Sequence, residues 1–411
     1  MANNLSLLST TNRVEVPVIQ VKIGDYTFGV AEKKITKISG TYTTKDTRYP
    51  NYINSLTVTK ISGKVNTYSL SLAYPVVAGA DPNYFEKVFS SVSKSRKIWF
   101  TYGDMNAPQF VYRNEEAIIT DVTQQLSFSS SVISYQVTAV SSGNLLAAGA
   151  YNFRARTAKP SSVLKEILAN KTYGVQDIFY GMRDLDLVAQ RNLIRSDDCV
   201  VDIKAKTNIS VLDYITYLVS CMTKSPLAGN GDDVYVFTVV DDTTGVFGGP
   251  YFKVDLISKT FDSVDTYEID AGYPGGNIVT DLQIQNNESY SIFYDYQTQL
   301  NTAEYRQTID DQGNLVDQYA PIISSRNNQF QTTPSDETWW RKVTEYPITL
   351  TLSLRGLLRP AILMTNVRLK VYYYGQLHSS SGKYIVTKQV DKISFSGFET
   401  QLTLVRVGAD Q

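Results

Sequence analysis

The sequence predicts a mainly β protein with some α+β structure, in which two similar β-barrel or β-sandwich domains flank a middle α+β domain. Three observations predict this fold class. The chain has 29 tyrosines, many beside Val, Ile and Thr, and these residue types suit a pleated, half-buried surface. Several segments alternate apolar and polar residues with the period of a β-strand. One such segment is repeated close to the C-terminus.

Length and composition set the first limits on fold and function. A chain of 411 residues is too long for one ordinary core, so we expect two or three domains. Hydrophobic residues make up 43% and charged residues 19%, which is enough apolar surface to fold. Lys and Arg number 39 against 40 Asp and Glu. Without a basic excess to neutralise phosphates, a protein that reads nucleic-acid sequence is disfavoured.

No targeting or membrane segment is visible in the sequence. The first residues lack the basic segment and apolar stretch of a secretory signal. The longest apolar runs, such as residues 361–364, fall far short of the ~20 residues of a membrane helix. We therefore expect no membrane anchor. The two cysteines, Cys199 and Cys221, are expected to be buried thiols rather than a disulfide framework.

Residues 1–150 are predicted to form the first β-domain. Gly24-Asp25 separates two apolar strands in the manner of a tight hairpin. A single helix is predicted after Asp81, which suits an N-cap, with Pro82 in the first turn. Apolar residues then recur at spacings of three and four, so this helix should cover a sheet formed by the flanking strands.

The remaining two domains differ in character. Residues 155–262 are predicted to be the middle α+β domain, with helices opening at Ser161 and near Asn208 and two strands after them. Residues 263–411 are predicted to be the second β-domain, interrupted by a long polar insertion near residues 300–338. Loops of this length inside a compact domain are usually functional or disordered.

An internal repeat connects the first and third regions. Residues 117–140 align without a gap with residues 384–407, at a constant offset of 267. The matches include Ser127-Phe128-Ser129 against Ser394-Phe395-Ser396. Two amphipathic hairpins also resemble each other by chance, since period-two patterns are common. The shared Ser-Phe-Ser at one register, between matching strands, favours duplication over coincidence.

Duplication has a mechanical consequence. With two similar domains in each chain, three chains present six quasi-equivalent units around an axis. Head-to-tail contacts commonly close into such rings. A ring of this kind can join a six-fold tube to a three-fold spike.

The chain resembles the baseplate hub proteins of contractile-tailed phages and related injection machines, including the base of the type VI secretion spike. The segment from Gly382 to Val407 is similar to the closing hairpin of many tail hub proteins, and the order of domains follows theirs. The resemblance implies two tail-tube-like domains in a homotrimer that lines a channel. The implied partners are the tail tube or distal tail proteins, the central spike and the tape-measure protein.

The same resemblance implies where the protein works and what passes through it. It implies a place in the virion, in the tail baseplate, for a protein made in the host cytoplasm. Genome DNA would pass through the channel during ejection without sequence-specific binding. The polar insertion near residues 300–338 has no counterpart in the resemblance.

Catalytic, cofactor and metal sites are not expected. The only histidine, His378, lies in a polar segment that reads as an exposed turn, so a nucleophile system through it is disfavoured. One histidine and two distant cysteines give no zinc spacing. The adjacent acidic residues read as solvated turns and lack calcium-loop spacing, and they are Asp197-Asp198, Asp232-Asp233, Asp241-Asp242 and Asp310-Asp311. We expect a protein that is not an enzyme.

A small set of aromatic residues and one arginine are the candidate interface residues: Trp339, Trp340, Arg341, Phe128 and Phe395. Tryptophan and arginine are common anchors of interfaces. One of the adjacent tryptophans can instead point into a β core, because side chains alternate along a strand. Two other functions stay open: a tail-associated cell-wall hydrolase, through carboxylates such as Asp197 or Asp232, and a carbohydrate-binding tail protein, through stacking aromatics.

Overall fold

The computed structural model of the chain describes part of its length. The described residues are 17–29, 33–38, 41–46, 49–91, 97–104, 113–127, 129, 131–179, 193–197, 200–222, 234–241, 243, 249–257, 265–270, 279–286, 307–309, 315–317, 348–355, 363, 366–394 and 397–409.

The described structure is mainly β, as predicted. The strands before residue 150 are β1 (Pro17–Ile23), β2 (Tyr26–Gly29), β3 (Lys33–Ile38), β4 (Thr41–Asp46), β5 (Ile53–Ile61), β6 (Thr67–Pro75), β7 (Lys97–Asp104), β8 (Arg113–Ser127) and β9 (Val132–Ser141). The strands of the middle region are β10 (Tyr151–Phe153), β11 (Arg156–Ala158), β12 (Val201–Ile203), β13 (Lys206–Ile209), β14 (Val234–Val240) and β15 (Tyr251–Ile257). The later strands are β16 (Asp265–Asp270), β17 (Val279–Asn286), β18 (Gln307–Ile309), β19 (Leu315–Asp317), β20 (Ile348–Arg355), β21 (Asn366–Tyr373), β22 (Gln376–Leu377), β23 (Gly382–Ser394) and β24 (Gly397–Ala409).

The helices whose bounds the described residues give are few and short. They are α1 (Tyr84–Ser91), α2 (Pro160–Ala169), α3 (Val175–Ile178) and α4 (Val211–Cys221), with 3-10 turns at Ser142–Ala147 and Lys171–Tyr173. Two starts differ from the sequence prediction. Helix α1 begins after Asp81, whose carboxylate accepts the Asn83 N–H in a turn before the helix. Helix α4 begins after Asn208, which has a left-handed φ of 56° and so cannot be helical, and Ser210 is the N-cap.

One large sheet organises the fold. Its strand order is β17-β20-β24-β23-β5-β6-β9-β8-β7-β1-β2, with antiparallel neighbours, and β21 joins β23 from the side. Among the described strands this path is open at β2 and β17, so the predicted barrel is not closed. The sheet curls until β1 contacts β23, and strands of the first and third regions share one sheet through the β23–β5 ladder.

The first core lies inside this curl, and α1 covers it. Alternating residues of β6 are buried, and Phe85 and Val88 of α1 are completely buried against them. The Phe85 ring lies 4.9 Å from the Tyr135 ring and 5.3 Å from the Phe28 ring, measured between centroids. Packing in this aromatic cluster therefore stabilises the helix, because eight residues are too few for a stable isolated helix.

Two further cores accompany the other regions. The second contains the apolar faces of α2 and α4 together with β14 and β15, and the rings of Phe153 and Tyr214 stack within it at 3.7 Å. The third contains alternate residues of β20, β21, β23 and β24. The predicted boundaries at residues 1–150, 155–262 and 263–411 stay predictions.

The strand-pairing scheme of the first region recurs in the third. In the first, the order β5-β6-β9-β8 is followed by β7 on the N-terminal half of β8. In the third, the order β17-β20-β24-β23 is followed by β21 on the N-terminal half of β23. Each scheme thus pairs its five strands in the same way and in the same chain order. We call these five-strand sets the first unit and the second unit.

A bulge marks the equivalence at residue level. The β8–β9 ladder shifts register at Thr120, and the β23–β24 ladder shifts at Thr387, 267 positions later in the gapless alignment. Each threonine hydroxyl donates to a threonine carbonyl of the partner strand, Thr138 or Thr403. The loop after β23 is two residues shorter than the loop after β8. Structurally equivalent residues of β9 and β24 are therefore 265 positions apart, two fewer than the offset of 267 in the gapless alignment.

The first prediction concerns the aromatic cover of the core. Replacing Phe85 with Ala removes a fully buried ring, and we expect the free energy of unfolding to fall by about 3–5 kcal/mol. Phe89→Ala on the same helix is the control, because Phe89 is only partly buried and should cost much less. Urea titration followed by tyrosine and tryptophan fluorescence measures both. Equal losses would show that α1 does not depend on Phe85.

Candidate functional site: a buried junction and two open strand edges

A buried polar cluster attaches the middle region to the first unit. Asp241, directly after β14, is 1% exposed. Its carboxylate accepts hydrogen bonds from Asn66 Nδ2 at 2.8 Å, from the Tyr68 hydroxyl at 2.9 Å and from the Ser141 hydroxyl. Each donor belongs to the first unit or its immediate connections, so one side chain of the middle region is held by three groups of the sheet.

Backbone contacts extend the junction on both sides of Asp241. The Glu116 N–H donates to the Asp241 carbonyl at 3.2 Å, and the Thr243 N–H donates to the Asn114 carbonyl at 2.7 Å. The Gly63 N–H donates to the Phe237 carbonyl at 2.9 Å. These backbone hydrogen bonds connect the first unit to β14 and to the residues directly after it, which fixes the position of β14 against the sheet.

Charge inside the junction is mixed. Lys60 of β5 and Glu115 of β8 form a buried ion pair. Burial, with a smaller contribution from the Glu115 carboxylate, raises the pKa of Asp241 to about 6, against the opposing effect of its hydrogen bonds. Burial also raises the pKa of the Tyr68 hydroxyl well above its usual value. The cluster therefore favours a neutral Asp241 below about pH 6.

The outer part of β8 is an open strand edge. Strand β7 pairs with β8 only as far as Ile118. Beyond it, β9 is the only described strand that pairs with β8, and residues 121–127 are exposed apart from half-buried Val122. Leu126 in this segment is 54% exposed. A strand with one free edge and exposed apolar side chains is a template for pairing with another strand.

One end of the described path, at β17, is a second open edge. Strand β17 pairs with β20, and no described strand pairs with its outer side. Most of its side chains are exposed, including Ile284 at 40%. Charged residues that usually blunt such edges are scarce here, because Asp281 is the only charge in β17. The two edges belong to opposite ends of the two units, because β8 ends the order β5-β6-β9-β8 and β17 begins the order β17-β20-β24-β23.

The residues proposed from sequence as an interface are not brought together by the described structure. Trp339, Trp340, Arg341, Phe128 and Phe395 all lie outside the described residues. Their role stays a prediction. The serines before the two phenylalanines end β8 and β23, so the repeated motif marks two hairpin ends.

Two of the acidic residues were wrongly predicted to be solvated turns. Asp241 is the centre of the junction, and Asp197 is 1% exposed. Asp197 accepts the N–H and hydroxyl of Ser161 at the start of α2, where Lys159 offers no side-chain cap. Burial raises the pKa of Asp197. One sequence signal for burial was overlooked, because Asp241 directly follows the apolar strand β14.

The remaining chemical candidates are placed as follows. His378 lies in an exposed turn, as predicted, with Nδ1 2.8 Å from the Ser380 hydroxyl. Cys221 is a buried thiol, as predicted, and Cys199 lies outside the described part. In the described ranges no three acidic, His or Cys side chains gather as a metal site. No helix in those ranges has the length and hydropathy to cross a membrane.

Comparisons with known proteins were made by sequence and by structure. No protein-family model matches the sequence, and no curated protein matches it. Solved structures do match. The tail protein from Neisseria meningitidis aligns with a TM-score of 0.48 at 9% identity, over 97% of this chain and 97% of that chain. The 43 kDa tail protein of a Shewanella oneidensis prophage aligns at 0.46 and 10% identity, over 95% and 97%.

A secretion-system protein also matches. The Escherichia coli c3393 protein, described as a component of the type VI secretion system, aligns with a TM-score of 0.47 at 8% identity, over 86% of this chain and 73% of that chain. The structural neighbours are thus tail and injection-machine proteins, the class that the sequence resemblance named. At these identities and scores, function has to follow from the chain's own residues.

The second prediction concerns pH and the junction. The pKa of Asp241 rises from 3.8 to about 6 on folding, so the folded chain binds this proton more tightly than the unfolded chain. Its contribution to the free energy of unfolding is therefore present at low pH and is lost as pH rises through about 4 to 6, by about 3 kcal/mol. We expect Asp241→Asn to remove this loss.

Urea unfolding at a series of pH values measures the effect as a difference between variant and wild type. Exposed Asp202, which accepts a hydrogen bond from Thr157, supplies the control variant Asp202→Asn, and this should keep the wild-type pH dependence. Parallel curves for wild type and Asp241→Asn would contradict the raised pKa.

Proposed function

We propose that this chain is a non-enzymatic structural hub of a phage-type tail baseplate, three copies of which close into a ring around a central channel. In this proposal the ring joins the six-fold tail tube to the three-fold central spike. It also forms part of the channel for DNA ejection. The observation that carries the proposal is the repeated pairing scheme, which gives each chain two equivalent units.

The two units of one chain already associate in the way a ring requires. Strand β23 of the second unit pairs with β5 of the first, so two different edges meet. This is a head-to-tail contact, and among the described strands it leaves one unpaired edge at each end of the joined pair. Head-to-tail contacts repeated between copies give closed rings when the rotation per unit closes. Three chains with two units each then supply six positions for a six-fold tube.

The partners follow from this geometry. The tail tube or distal tail proteins contact one rim of the ring and the central spike contacts the other. The end of the tape-measure protein occupies the channel before ejection. A net charge of −1 supports passage of DNA without sequence-specific binding, since the chain has no excess of cations for phosphates. The place of action is the baseplate of the virion, and synthesis takes place in the host cytoplasm.

Structural roles of the buried carboxylates support a non-enzymatic protein. Asp197 caps α2, and Asp241 fastens the junction. Paired catalytic carboxylates of a glycan hydrolase instead face a cleft with an open path for substrate. The single histidine is held in a turn by Ser380. The proposal invokes no cofactor or metal.

The third prediction is the size and shape of the assembled particle. We expect mass photometry and negative-stain electron microscopy to show three-chain particles with six lobes around a hole. The protein is measured alone and with the spike protein of the same tail. Monomers that close into rings only with the spike also support the hub, with assembly driven by the partner. Monomers or dimers in both samples would contradict it.

The fourth prediction tests the absence of hydrolysis. We expect no clearing in a cell-wall zymogram of the purified chain, with a known lysozyme as positive control. Clearing that disappears in Asp197→Asn, with folding retained by circular dichroism, would contradict the non-enzymatic part of the proposal. It would make the middle region a hydrolase.

A further inference from the structure

The ladder between β23 and β5 is a template for a contact between copies. Residues Lys388–Ser394 pair antiparallel with Ser55–Ile61, and Ile393 lies opposite Leu56. Ile393 is 1% exposed and Leu56 is completely buried. In this ladder an edge of the second unit covers an edge of the first, and apolar residues of both are removed from water.

The same two edges exist once more in each chain, without a described partner. Because β8 corresponds to β23, residues 121–127 occupy the positions in the first unit that residues 388–394 occupy in the second. Leu126 is the equivalent of Ile393. Both residues lie opposite the equivalent position of the next strand, Ile133 for Leu126 and Phe398 for Ile393. The pairing on the inner side of the two strands is therefore the same.

Strand β17 corresponds to β5 in the same way. Leu56 of β5 lies opposite Leu70, which lies opposite Val137 of β9. Leu282 of β17 lies opposite Leu352, which lies opposite Leu402 of β24. Leu282 therefore occupies the place of Leu56 in its unit. By the same register Ile284 occupies the place of Val58.

Exposure is where the two pairs of edges differ. Leu126 is 54% exposed, whereas its equivalent Ile393 is 1% exposed. Ile284 is 40% exposed, whereas its equivalent Val58 is completely buried. The unpaired edges carry apolar residues at the positions that the paired edges bury. Such residues are expected where a strand of another chain completes the sheet.

We propose that residues 121–127 of one copy pair antiparallel with β17 of the next copy, with Leu126 opposite Leu282 and Gln125 opposite Gln283. The inference rests on the proposed ring and names its subunit contact. The occupant is a second copy of this chain, because the chain itself contains the matching ladder. No like charges oppose each other in this register, since Asp281 faces Ser127.

Repeating this contact makes the sheet continuous around the ring. Each chain contributes the eight strands from β17 to β8 along the described path. The contact between copies then equals the contact between the two units within a copy. Every unit edge is paired, which removes the aggregation hazard of a free strand edge.

Paired cysteines test the register directly. Gln125→Cys and Gln283→Cys are introduced together in a full-length chain with Cys199 and Cys221 replaced by Ser. Directly opposed residues of an antiparallel pair lie within disulfide range. We expect mild oxidation of the assembled protein to give covalently linked trimers on non-reducing gels. The control pair, Gln125→Cys with Gln285→Cys, is displaced by one side-chain repeat and should link poorly.

The outcomes separate this inference from the ring itself. Three-chain particles that link only in the control pair, or in neither pair, would overturn the proposed register while leaving the hub intact. Absence of three-chain particles in the wild type, alone and with the spike, would instead overturn the proposed function. Single-cysteine variants identify links between identical positions, which the head-to-tail contact does not produce.

A charge substitution provides a second readout that does not depend on oxidation. Leu126→Lys places a cation inside the proposed contact, in place of an apolar side chain, and we expect the three-chain fraction to fall about tenfold while the fold persists. Leu145→Lys is the matched control, because Leu145 is 49% exposed and belongs to the 3-10 turn at Ser142–Ala147 and to neither edge. Equal assembly of both variants would overturn the proposed contact.

Discussion

The rest of the structure depends on the ladder between β23 and β5. It joins strands that lie more than three hundred residues apart in the chain and makes one sheet of two units. Ile393 enters the first core from this ladder and Phe398 enters it from the adjoining β24, with the Phe398 ring centroid 6.2 Å from that of Tyr102. Without this ladder, the first core would lose a wall and the two units would no longer share one sheet. Its long-range pairing carries a loop-closure cost that the buried apolar contacts must offset.

Polar contacts attach the middle region to the first unit, whereas strand pairing attaches the two units to each other. Asp241 accepts three hydrogen bonds from the first unit, and Lys60 and Glu115 form an ion pair beside it. Buried polar clusters add little net stability, but leaving one member unpaired is costly. The junction therefore specifies one position for the middle region more than it strengthens the fold.

Local patterns predicted much of the fold. The hairpin at Gly24-Asp25, the strands 234–240 and 251–257, and the helix carrying Val163 and Leu164 follow from spacing and turn residues, and the structure has them. The repeat predicted the two long hairpins, and the structure adds the bulges at Thr120 and Thr387 that the hairpins share. The gapless alignment did not show the two-residue difference in loop length, since a shift of two preserves the alternation of side chains.

Other features depend on contacts that a sequence pattern does not contain. The β23–β5 ladder and the short ladders β10–β13 and β11–β12 join distant segments, and three-residue strands have no readable period. Asp241 was predicted to lie in a solvated turn because adjacent acidic residues are typical of such turns. Its hydrogen-bond partners Asn66, Tyr68 and Ser141 are distant in sequence, so the local pattern does not reveal them. The open edges could not be predicted without the strand pairing. The exposure of Leu126 becomes informative only when it is compared with the burial of its equivalent Ile393 in the β23–β5 ladder.

The most direct measurement of the central claim is amide hydrogen exchange in the assembled and dissociated states of one sample. In the assembled state we expect slow exchange at the amides of residues 121–127 and of β17 that point away from β9 and β20, with fast exchange at those amides once the copies separate. The β5 segment 55–61 should remain protected in both states, because its partner lies in the same chain. Identical exchange at residues 121–127 in the two states would contradict a ring closed by strand pairing between copies.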